Sequence, residues 1–120
     1  MDVENYFDMN FVYDGEEFTL NTEGQQIYGQ IWTPEITPKY VYIYAHGLSG
    51  NLTHNHDMYV IVNRRGGVVM AVDAIGHGRS SGPRIGSQIK KDAHVMADLV
   101  QYAAYSYPDL PIFVHGHSMG

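Results

Sequence analysis

Pro111-Ile112-Phe113-Val114-His115-Gly116-His117-Ser118-Met119-Gly120 is the stretch that decides how this chain is read. Pro111 to Val114 is a short apolar run, the mark of a buried strand. Gly116-His117-Ser118-Met119-Gly120 follows at once and fits G-x-S-x-G, in which a sharp strand-to-helix turn holds a serine hydroxyl clear of a sheet. The glycines have a steric reason. So tight a turn crowds the backbone around the serine, and a Cβ at either flanking position would strike the adjoining strand or helix. Three fixed residues of common types recur by chance, so the pattern carries weight only behind a strand. Here the strand is present.

Working outward, two more apolar runs precede it. Tyr40 to Ala45 and Val68 to Val72 are apolar or aromatic throughout, as expected of strands covered on both faces. Between them the sequence predicts a helix over about Asp57 to Arg65. Gly66-Gly67 closes it, and two arginines sit in its last turn, where cations suit the helix dipole. A longer helix is predicted between the second and third runs, with Ser87 as N-cap and Pro108 as terminator. Ile89, Ala93, Met96, Ala97, Val100, Ala103, Ala104 and Tyr107 form its expected core stripe. Three buried strands alternating with two helices make βαβαβ, hence an α/β fold with a parallel sheet and right-handed crossovers. Upstream, Glu16 to Leu20 and Ile27 to Thr33, joined by residues 21–25, predict an antiparallel hairpin. Ile27, Gly29 and Ile31 face one way there, and Tyr28, Gln30 and Trp32 the other. Residues 1–120 are thus read as part of one domain, with the hairpin over about 16–33 and βαβαβ over about 40–120.

Composition narrows the function. Seven basic against thirteen acidic residues give a net charge of −6, which excludes the electrostatic footprint of a nucleic-acid binder. The absence of cysteine excludes a disulfide framework and a thiolate metal site. Met1-Asp2-Val3-Glu4-Asn5 is acidic where a signal peptide is basic, and no run approaches bilayer-spanning length, so a cytoplasmic location is expected. Asn51-Leu52-Thr53 is a sequon read as a chance match.

Open parallel sheets place their ligands at the carboxyl ends of the strands. There the first run ends in His46-Gly47-Leu48-Ser49-Gly50. The second ends in Asp73, followed by Gly76-His77-Gly78-Arg79-Ser80 and Gly82, and the third ends at Ser118. With these three motifs in order, Tyr40 to Gly120 resembles the α/β-hydrolase family, and within it the monoacylglycerol lipase, lysophospholipase-like and S33-type serine hydrolases. The resemblance implies the N-terminal part of an α/β-hydrolase fold and cleavage of acyl esters, with monoacylglycerol or lysophospholipid-type lipids as substrates and no cofactor. It implies Ser118 as catalytic nucleophile, with Gly116, His117 and Gly120 completing the elbow. It implies backbone N–H groups of Leu48 and Met119 as the oxyanion hole, and His46 and Gly47 as the loop that carries Leu48. Independently of the resemblance, a serine nucleophile needs donors about 3 Å from the developing oxyanion, and a glycine-rich loop on the adjacent strand can supply one.

In that family the acid and the histidine follow the serine. The resemblance therefore implies that both lie beyond Gly120, with a lid that makes transient contact with membrane surfaces, and that residues 1–120 are inactive alone. Upstream, His77 and Asp92 stand in the order histidine, acid, serine. Asp92 falls within the long helix, displaced from the strand tips, which argues against it. His54-x-His56 and His115-x-His117 suggest a metal site only by spacing, without an acidic partner, and are read as structural histidines. The alternative to a hydrolase is a non-catalytic scaffold that binds a lipid or a partner.

Overall fold

Alternation along the third strand explains how the molecule is layered. In the computed structural model, which describes residues 14–22, 24–45, 56–73, 80 and 89–116, this strand, β3 (Tyr40–Ala45), sends Val41 and Ile43 to one face and three tyrosines to the other. It pairs in parallel with β4 (Gly67–Val72) and with β5 (Ile112–Gly116). The hairpin strands β1 (Glu16–Thr22) and β2 (Gln25–Trp32) complete the sheet, β2 pairing antiparallel with β4. The order is β1-β2-β4-β3-β5. All six residues of β4 are buried, as its unbroken apolar sequence requires.

The two helices cover opposite faces. The short helix α1 (His56–Arg64) lays Tyr59 and Val62 on Trp32, Tyr44, Val69 and Ala71. The long helix α2 (Ile89–Ser106) packs Val95, Leu99 and Ala103 against Ile27, Val41, Ile43, Val68, Met70 and Val72. Its stripe is rotated from the expected one. Ala93, Ala97 and Ala104 are exposed, while Val95 and Leu99, both absent from the expected stripe, are buried. Branched side chains bury more apolar area per position than alanine, and they set the docking phase.

Local chemistry fixes the connections. The hairpin turn is tighter than expected: pairing runs on to Thr22 and Gln25, and Gly24 takes a φ of 71°. Thr22 then donates its hydroxyl to Asp98 at 2.7 Å, tying the hairpin tip to α2. Helix α1 ends in a tightened turn and a Gly66 φ of 90°, which a side chain would strain. The Asn63 amide donates to the carbonyls of Trp32 at 3.0 Å and Gly67 at 2.8 Å, so one side chain joins the helix end to two strands. Pro108 follows two residues after α2, as expected of a terminator. Among the described residues no helix is long and apolar enough to cross a membrane.

Candidate active site

Ala45, the last residue of β3, is in register with Val72 at the end of β4 and with Gly116 at the end of β5. The three motif-bearing segments therefore leave the sheet from one edge, side by side. That juxtaposition is what a nucleophile on one strand tip and an oxyanion donor on its neighbour require. Gly116 is the exposed final residue of β5. His46, Gly47, Leu48, His117, Ser118, Met119 and Gly120 lie outside the described residues, as do His54 and His77.

Around that edge the described side chains are heavily bonded. Asp73, one residue past β4, is fully buried, and its N–H donates to the Tyr28 carbonyl at 2.8 Å. Burial pushes the Tyr59 phenol upward, and the Tyr44 and Tyr42 phenols and the Asp73 carboxyl add to the push. The Tyr44 and Tyr59 rings meet edge-on at 5.8 Å, which fixes α1 against the end of β3. Burial also raises the Tyr42 phenol. Tyr42 and Nδ1 of His115 share a hydrogen bond, and the Tyr44 and His115 rings lie 5.5 Å apart. Both contacts stitch β5 to β3 just below the tip.

His56 belongs elsewhere. Its Nε2 lies 2.9 Å from Asp14, which also accepts the Trp32 indole N–H at 2.7 Å. Asp14, Trp32, Glu35, Val60 and Arg64 help line a cleft of about 460 Å³ beside α1. Its Trp32 wall belongs to β2, which is three strands from β5, roughly 14 Å at the usual ~4.8 Å spacing. Among the described residues no cluster of three His, Asp or Glu could hold a metal. Asp92 lies within α2, the helix to which the sequence assigned it. Sequence reasoning quoted Ser80 within its motif but gave it no role. The structure places its hydroxyl between Tyr28 and Asp73.

A mixed sheet with this strand order and helices on both faces is the α/β-hydrolase fold. The solved structure of a highly thermostable carboxyl esterase from Bacillus coagulans, in complex with glycerol, matches it with a TM-score of 0.80 at 26% identity, over 91% of this chain and 38% of that one. A profile of the family described as serine aminopeptidase, S33, matches residues 36–120, and the chain belongs to that family. Its relatives include the monoglyceride lipase of Rattus norvegicus, 31% identical over 92% of this chain and 37% of the relative. The monoacylglycerol lipase of Mycolicibacterium smegmatis is 36% identical over 81% of this chain and 35% of its own length. The chain spans little more than a third of the length of these two relatives.

Proposed function

We propose that this protein is a serine hydrolase of carboxylic esters, acting on monoacylglycerol or lysophospholipid-type lipids. Ser118 Oγ attacks the ester carbonyl, and the backbone N–H groups of Leu48 and Met119 receive the oxyanion. The alcohol departs, and water then releases the acid from the acyl-enzyme. The observation that supports this most directly is the register of Ala45 with Gly116, which puts the roots of the Leu48 and Ser118 segments on adjacent strands. The family match and the names of the relatives support the ester chemistry. In this reading the acid and the histidine of the triad come from beyond Gly120, so residues 1–120 by themselves turn over no ester.

The test is made in the full reading frame. A fluorophosphonate probe labels the protein, and Ser118→Ala removes both the label and hydrolysis of a monoacylglycerol, a loss on the order of 10⁶ in kcat. Labelling that survives Ser118→Ala would take this serine out of the mechanism.

A further inference from the structure

We infer that Ser80 is a positioning residue whose hydroxyl is spliced into the β2–β4 ladder and sets where the chain leaves β4 at the proposed catalytic edge. The register carries Gly29 opposite Val72, so the next pair is Tyr28 with Asp73. Residues in a hydrogen-bonded antiparallel pair exchange two N–H···O bonds. One of them is present, from the Asp73 N–H to the Tyr28 carbonyl at 2.8 Å. The place of the other is taken by Ser80: its Oγ accepts the Tyr28 N–H at 2.9 Å and its O–H donates to the Asp73 carbonyl.

The consequence is mechanical. A direct second bond would close the pair and draw the end of β4 against β2. A hydroxyl interposed on one side holds the Asp73 carbonyl away from Tyr28 while both groups stay satisfied. The same two bonds anchor Ser80, seven residues further along the chain, to the strand tip that the segment left. Asp73 is fully buried at that tip, one residue beyond the Val72–Ala45–Gly116 register, so its backbone direction is transmitted to the edge where Leu48 and Ser118 are rooted. The hydroxyl is the chemical requirement: it must accept and donate at once, which serine and threonine do and alanine and valine do not.

This inference rests on the hydrolase reading for its functional half only, and the experiment separates the two. In the full reading frame, Ser80→Thr is compared with its near-isostere Ser80→Val and with Ser80→Ala. Hydrogen exchange of the Tyr28 amide should quicken about tenfold or more in the valine and alanine variants, and stay within about twofold in the threonine variant. The Gln30 amide, further along the same ladder, serves as the control. The kcat for ester hydrolysis should fall on the order of tenfold in the valine variant with KM nearly unchanged, and recover with threonine. An unchanged Tyr28 amide in Ser80→Val and Ser80→Ala overturns the splice. Equal kcat in the threonine and valine variants, or unfolding of all three, overturns the positioning role. A wild-type protein that no fluorophosphonate labels would sink the hydrolase reading and leave the exchange result standing.

Discussion

Asp14 gathers three forces on one carboxylate. Burial pushes its titration up, but hydrogen bonds from the Trp32 indole and from His56, together with the charge on His56, outweigh that and leave it below its ordinary value of 3.8. A carboxyl depressed on folding contributes stability that is fully present above its unfolded value and is lost as pH falls through the folded one. Below about pH 4 the tie between residue 14 and the start of α1 should therefore loosen. The effect is small, because the Asp14 side chain is 56% exposed and solvent screens the pair. Asp14→Asn should flatten the acid limb of a urea-melt stability profile between about pH 5 and 2 and barely alter neutral stability. An acid limb as steep as in the wild type would mean that the pair does not report on folding.

At the scale of elements, α2 shows what its sequence discloses and what it conceals. Leu99→Ala should cost about 2–5 kcal/mol in chemical denaturation, since Leu99 is fully buried among Val41, Ile43 and Met70. Ala97→Gln, at a position inside the expected stripe, should stay within about 0.5 kcal/mol because that residue faces solvent. Exchanged magnitudes would restore the stripe read from periodicity. The existence of α2 and its C-terminal limit were legible because a long periodic run and Pro108 announce them, while the expected N-cap, Ser87, lies outside the described residues. The phase of the helix was not legible, because alanine fits a buried or an exposed face equally well. The strands were legible from their apolar runs, but their burial was not: β3 was read as core throughout, whereas Tyr40 and Tyr42 are half-buried and only Tyr44 is covered, and β5 was read as buried, whereas Phe113 and Val114 are exposed. A tyrosine pattern does not say how far a nine-residue helix reaches across a sheet. For the site, the motifs and their common edge were legible from strand order. The partners of Ser80 were not, because a serine bridging two strands leaves no periodic trace.

The whole molecule has an asymmetric sheet. Among the described residues β1 and β5 are both outer strands, but β1 has Phe18 and Leu20 packed against the core, whereas β5 leaves Phe113 56% and Val114 53% exposed. Open edges with apolar faces attract other chains. Residues 1–120 expressed alone should bind a hydrophobic dye, melt over a broad range and show no ester turnover. A sharp cooperative transition with measurable hydrolysis would contradict both the exposure argument and the proposed origin of the base.

β4 gives the sheet a schedule as well as a centre. Among the described residues it stands between β2 and β3 in the strand order, with Trp32 and Tyr42 both paired to Val69. During synthesis at about 5–20 residues per second, the stretch from Ala45 to Gly67 takes about 1–4 s to follow. Through that interval the hairpin and the tyrosine strand wait next to each other, each with an edge shaped for a partner that does not yet exist. Their direct union would make a sheet one strand short. The late arrival of β4 leaves both of those edges without their partner until the residues just before Asp73 have been translated.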